Sequence, residues 1–462
     1  MSICKGVGNI GAGASANDLI LSYAPEKEYA VIPDAHFREM RVTSESLAMT
    51  EDTTNDSEIR NDRMGGTPIR TALHVGGDVG IEPSYRNFED FFEGAMFDCW
   101  KNIYDVNVSG VEFKAAEKTI TSETIKTAYL SAGDRIFIQG STSNDGEYTI
   151  EQVAEGVITT VEPLVDEAGA TIYFSAIKVK ATAGDISFSD TDKSINSTAF
   201  DFTELDIVPN QFIRVLGTAN NNKDFKVVSV ATNKIIVEGE VATENPEGVV
   251  TLGGSRLRNG IVNHSYTIEK CQVPGEFYQY TGMMVNELSL DIATGSVLNG
   301  TISFMGKAEK FDNKSASKEQ TTKKAFETKI YNSISDIGTV TVDGSAAPAA
   351  IQSLSFSIAN NIEEQQQVGS LENAGVFVGN FDVTGSISLY YKDATIYNSF
   401  LAEEDKVISF PVTYQDKGYR FTINGRLNNA SKETPGVNQS IIQSYDLTAI
   451  PLNDYKIEID RF

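Results

Sequence analysis

Apolar and small polar residues alternate in short runs along the whole chain. Leu288-Ser-Leu-Asp-Ile, Leu354-Ser-Phe-Ser-Ile and Phe381-Asp-Val-Thr-Gly-Ser-Ile-Ser-Leu are three of them. A period of two puts successive side chains on opposite faces of a strand, one buried and one wetted. Such runs, separated by Gly, Asn, Asp and Ser clusters, predict a mainly β protein. Only two stretches carry helical spacing. In 85–101, Phe88, Phe91, Phe92, Ala95 and Trp100 fall near one face, with Asn87 at the expected N-cap. In 393–404, Ile396, Tyr397, Phe400 and Leu401 do the same behind Asp393.

The runs repeat at long range. Val79-Gly-Ile-Glu-Pro-Ser-Tyr-Arg-Asn leads into the first helical stretch, and Gly385-Ser-Ile-Ser-Leu-Tyr-Tyr-Lys-Asp leads into the second. Ile81 then matches Ile387, Tyr85 matches Tyr391, and Phe91 matches Tyr397. Tyr266-Thr-Ile-Glu is answered by Phe421-Thr-Ile-Asn. A second repeat lies between the halves of the first. Residues 136–150 match 213–227, with Gly140 on Gly217 and Tyr148 on Phe225, and Lys118-Thr-Ile-Thr-Ser matches Lys193-Ser-Ile-Asn-Ser. The expected organisation is an N-terminal arm (1–28), then a sheet-plus-helix domain split between 29–112 and 256–324. Two small β-barrel or sandwich modules (113–178 and 179–255) interrupt it, and a second copy of the domain occupies 325–462.

A chain of 462 residues exceeds one ordinary domain of roughly 100–200 residues. Its 64 acidic and 38 basic side chains leave a charge of -26. That balance argues against a clamp on nucleic acid or an anionic membrane, both of which need Lys and Arg. No apolar run is long enough for a membrane helix, and the N-terminus lacks a secretory h-region. Cys4, Cys99 and Cys271 form no CxxC and read as reduced, buried thiols of a cytoplasmic product.

Catalytic chemistry is not written in the chain. His36, His74 and His264 are scattered, and no HExxH, GxSxG or phosphate-binding glycine loop is present. Asp190-Thr-Asp and Asn220-Asn-Asn-Lys-Asp lack the spaced Gly and bidentate Glu of a Ca²⁺ loop and read as turns. The expectation is therefore no enzyme activity, no cofactor and no metal. The polar segment 50–70 is long for a loop, as is its counterpart 362–378, and such segments are functional or order on a partner.

Several segments, taken in order, resemble the tail tube proteins of long-tailed, non-contractile bacteriophages. They are Ser44-Glu-Ser-Leu, Glu58-Ile-Arg-Asn-Asp-Arg, Phe91-Phe-Glu-Gly-Ala, Tyr280-Thr-Gly-Met-Met-Val-Asn-Glu-Leu-Ser-Leu and Gly300-Thr-Ile-Ser-Phe-Met-Gly-Lys. Leu354-Ser-Phe-Ser-Ile-Ala-Asn-Asn-Ile, Val383-Thr-Gly-Ser-Ile-Ser-Leu-Tyr-Tyr-Lys-Asp and Gly436-Val-Asn-Gln-Ser-Ile-Ile-Gln-Ser continue the likeness. It covers most of 29–112 and 256–462, and 113–255 departs from it. The resemblance implies two tandem tail-tube β-sandwich or barrel domains, each with a flanking helix, plus the two inserted β modules. It implies a structural virion protein that assembles into stacked rings, forming a hollow tube through which the genome passes. With two tube domains per chain, the expected ring is a homotrimer of pseudo-sixfold form, the alternative being a homohexamer. Tape-measure protein and DNA would occupy the lumen without sequence-specific binding, and tail terminator and distal tail proteins would meet the ends. The protein would be made in the bacterial cytoplasm and reside in the virion tail. Glu58, Arg60, Arg63 and Gln366, on the two long segments, are the expected inter-ring contacts. Another β-rich virion surface or decoration protein, or an adhesin, is the second reading, and a carbohydrate-active β enzyme the third.

Overall fold

The computed structural model describes residues 15–462, except 60, 62, 63, 65, 199 and 435. Arg60 and Arg63 thus lie outside the described residues, as does Cys4. Strands dominate, with two α-helices among the described residues. The chain divides into two compact units. One comprises the described residues up to Asp98 together with Asn259–Ile408 and Ile423–Ile457. The other comprises Cys99–Arg258, Ser409–Thr422 and Glu458–Phe462.

The first unit is built on one antiparallel sheet. Its strands are β1 (Ser44–Glu45), β2 (Ala48–Thr54), β3 (Ile69–Ile81), β4 (Glu276–Ala293), β5 (Asn299–Gly306), β6 (Ile351–Ala359), β7 (Asp382–Tyr390), β8 (Lys417–Glu433, of which the part from Ile423 onward belongs to this unit) and β9 (Ile442–Ala449). β1 and β2 follow each other along one edge of β3. The order then runs β3–β5–β4–β6–β7–β9–β8. The alternation places Val79, Ile302, Leu288, Ile358 and Val383 on the buried face.

β4 serves two sheets. Its upstream half pairs with Tyr266–Val273 and Ala308–Asp312, and Ile20–Pro25 extends that second layer. The strand changes layer at Gly282, whose φ of +66° favours glycine. A Cβ there would also meet the Tyr29 ring at 3.1 Å.

Helix α1 (Glu89–Met96) closes the core over β4 and β6. Phe91 stands 4.5 Å from Tyr23, 5.1 Å from Tyr266 and 5.5 Å from Phe304, centroid to centroid. The helix is shorter than the spacing over 85–101 predicts. Phe97 takes a left-handed φ of 51° and ends it, so Trp100 lies outside. Asn87 is not the N-cap. Its buried amide instead donates to Ser84 Oγ, Thr328 Oγ1 and the Phe326 carbonyl. Helix α2 (Thr395–Leu401) sits at the matching place after β7, and Asp393 accepts from the Thr395 N–H as a cap does. Glu403, just beyond α2, repeats the φ of 51°.

In the second unit, Tyr104–Lys114, Thr119–Thr121, Arg135–Gln139, Gly146–Ala154, Val157–Thr160 and Glu167–Ala176 form a closed barrel. A seven-stranded sheet follows over 178–253 with matching strand order, and each module carries one 3-10 turn. Positions matched in sequence share a backbone: Lys118 and Lys193 both have φ 51°, and Gly140 and Gly217 have 93° and 89°. The two modules share one apolar core, in which Tyr129 stacks on Phe200 at 4.3 Å. Cys99 and Cys271 form no disulfide among the described residues and are half-buried, more open than the sequence suggests.

Candidate assembly surface

The wetted face of the first unit's sheet is lined by hydroxyls in register. One row of directly opposed residues crosses eight of the nine strands: Ser44, Gly80, Thr301, Ser289, Ser357, Thr384, Thr448 and Arg426. The next row holds Asn299, Asp291, Ser355, Ser386, Asp446 and Asn428. Ser355 and Ser386 share a hydrogen bond of 2.9 Å, and Asn428 donates to Thr448 at 2.8 Å. These bonds fix side chains across strands and leave a hydrated, small-residue surface. An open groove of about 460 Å³ runs over it, lined by Ser289, Asp291, Ser357, Thr384, Asp446 and Thr448. Asp78, Glu287, Asp291 and Asp446 lie on this face. The basic side chain on the same rows is Arg426, held by Asp405 at 2.7 Å.

The sheet ends in two edges. From Leu427 onward β8 pairs with β9 alone among the described residues. At the other end, among the described residues, β1 and β2 pair with β3 alone. Side chains rather than a strand meet the outward groups there. Tyr280 Oη donates to the Leu47 carbonyl at 3.1 Å, and the Met49 N–H donates to Glu309 at 3.1 Å. Capping by side chains is one way an edge strand avoids indiscriminate pairing.

The two long segments meet at one end of the sheet. β2 and β3 pair out to Thr54 and Ile69 at the base of the first arm, and Glu363–Gln365 pairs with Gly375–Phe377 in the second arm. The second arm folds back: the Leu73 N–H donates to the Leu371 carbonyl at 2.9 Å, and buried Asn373 donates to Gly306 at 3.1 Å. The second segment thus has hydrogen-bond partners within its own chain. His74 clasps the arms. Its Nε2 lies 3.1 Å from Asp52, and its Nδ1 meets Glu364. Hydrogen bonds to Asp52 and Glu364 hold the imidazole above its ordinary value, outweighing partial burial. In the sequence His74 is only one of three scattered histidines, because neither acid is near it along the chain.

Of the expected contact residues, Glu58 lies exposed in the first arm, and Gln366 donates to Glu364 at 3.2 Å in the second. Among the described residues no group of three His, Cys, Asp or Glu side chains is placed to hold a metal ion. Asp190 instead accepts from Thr243 at 2.7 Å, and Asp192 from Lys234 at 2.6 Å. A family model described as phage tail tube protein matches residues 16–449. No curated protein matches the chain.

Proposed function

This chain belongs to the phage tail tube protein family, and on that premise we propose that three copies close into a pseudo-sixfold ring whose wetted sheet face lines the bore. The observation that carries the reading is the single sheet of the first unit. It runs as two successive four-strand sets, β2–β3–β5–β4 and β6–β7–β9–β8, each with a helix placed after its second strand. The sets join edge to edge through β4 and β6. A ring made by the same kind of joint leaves no free edge in that layer. Two sets per chain and sixfold order call for three chains, and closed cyclic symmetry is the norm for such assemblies.

The lining suits passage of a polyanion. DNA binds where cations replace its counterions, and Asp78, Glu287, Asp291 and Asp446 supply the opposite charge. Hydroxyls between them keep water at the wall, so a duplex would slide rather than stick. Stacked rings would then form the conduit, with tape-measure protein held in it before ejection, and terminator and distal proteins closing its ends. The segments 50–70 and 362–378 are the ones offered for ring-to-ring contact, with Glu58, Arg60, Arg63 and Gln366 on them. The chain would act as wall and not as catalyst, be made in the host cytoplasm and end in the virion tail.

Electron microscopy of the purified protein tests this. Tubes of uniform width with three chains per ring are expected. Six chains per ring would remove the trimer, and a protein that stays monomeric at high concentration would favour a decoration or adhesin role.

A further inference from the structure

The joint between β4 and β6 inside the chain is a template for what the outer edges lack. There, Leu288 stands opposite Ile358 and Ser289 opposite Ser357. Helix α1 seals the joint from the buried side. Asn360, just past β6, donates to the Ala95 carbonyl of α1 at 3.1 Å and to Val285 at 2.9 Å. Six of the eight α1 residues are buried in consequence.

Helix α2 has no such cover. None of its residues is buried, with Tyr397 40% and Leu401 61% exposed. Beneath it lies an apolar groove of about 220 Å³, lined by Ile387, Leu389, Ile396, Ile408 and Leu427. The matching of Phe91 to Tyr397 places Leu401 where α1 has Ala95. On the opposite edge of the sheet, the pairing of Ala48 with Gly76 matches that of Ala359 with Asp382. Met49 therefore stands where Asn360 does, and it is 41% exposed. The small-plus-amide pair Ala95 and Asn360 inside the chain becomes a pair of exposed apolar side chains, Leu401 and Met49, on its two outer edges. An exposed large apolar residue on each of two matching edges, one of them over an apolar groove, marks a contact surface.

We propose that the downstream half of β8 and the exposed face of α2 receive the Thr43–Met49 edge of a second copy of this chain. Leu427 then faces Leu47 of the next copy, Asn428 faces Ser46, and Met49 packs on Leu401. The docking strand displaces Tyr280 and Glu309 from the backbone groups they cap. This rests on the ring reading above and adds the surfaces and register of its joint.

The test uses the full chain. Ser46 and Asn428 occupy places equivalent to Ser357 and Ser289, a cross-strand pair whose Cβ atoms lie close enough for a disulfide. The double variant S46C/N428C is expected to form ladders ending at the closed ring under mild oxidation, while either single variant does not. Leu401→Glu, at an exposed position, should fold as the wild type does and assemble at least about tenfold less readily, as loss of a central apolar contact entails. Wild-type tubes with no cross-link above the single variants, or unimpaired assembly of Leu401→Glu, would overturn the joint and leave the tube reading standing. Failure of the wild type itself to form rings would instead overturn the tube reading.

Discussion

Phe91 and Tyr397 show how one matched position differs with what covers it. Phe91 is fully buried among Tyr23, Tyr266 and Phe304, whereas Tyr397 is 40% exposed. Phe91→Ala should cost the subunit about 3–5 kcal/mol through lost burial and the cavity left behind. Tyr397→Ala should cost within about 1 kcal/mol, as exposed substitutions do. Denaturant melts of the unassembled chain check both. His74 carries the second residue-scale prediction. Asp52 and Glu364 raise its folded value above the ordinary 6.5. The clasp therefore contributes in full below 6.5 and fades as pH rises through the raised value. The melting temperature of the wild type should exceed that of His74→Gln most in mild acid, with the gap closing in alkali. A gap that widens with pH would refute the assignment.

At the scale of elements, short loops hold the two modules in their shared form. Glu167 accepts from the N–H groups of Thr142 and Ser143 and from the Asn144 amide. Glu244 accepts from Ala219, Asn220 and Asn221 in the same way. Burial opposes the charge of Glu244, but these donors prevail and hold its carboxyl below the ordinary value. Its contribution is present above about 4.5 and is lost as pH falls through the lowered value. Glu244→Ala should make the 218–222 loop an early protease site while leaving the Glu167 loop resistant. Cleavage at equal rates in wild type and variant would show that the carboxylate does not hold the loop. The same pairing of Asn, Glu and glycine turn explains why the repeat was legible in sequence: turn chemistry needs particular residues at particular places.

For the whole molecule, the second unit offers a clean excision point. The Ile103 N–H donates to the Gly254 carbonyl at 3.0 Å, and Asn102 pairs with Ser255. Replacing 104–253 by a two-residue turn should preserve tube formation, since domain insertions succeed where chain ends are adjacent. The variant should melt lower, because Arg256 loses Asp206 and Arg420 loses Asp224. A folded variant that makes no tubes would place the modules in the wall. The bore reading makes a separate prediction: Asp291→Lys with Asp446→Lys should leave tubes intact yet lower phage infectivity at least about tenfold, as added cations retain DNA. Unchanged infectivity would remove the acidic face from the bore.

Sequence by itself determined the local terms. Period-two alternation set which side chains of Leu354–Ile358 are buried, the glycine and asparagine turns set where strands end, and the aromatic spacing located both helices. The recurring residues also carried the family. Helix ends were less legible: the left-handed turn at Phe97, and the diversion of Asn87 to residues 326–328, depend on contacts far along the chain. Tertiary structure alone decided which strands are neighbours. The hydroxyl row joins residues 44, 80, 301, 289, 357, 384, 448 and 426, an order no local pattern encodes. The same holds for His74 between Asp52 and Glu364, and for α1 covered while α2 is bare. Alternation is a property of one strand and its solvent, whereas pairing is a choice among many similar strands, settled by the cores and bends that bring them together.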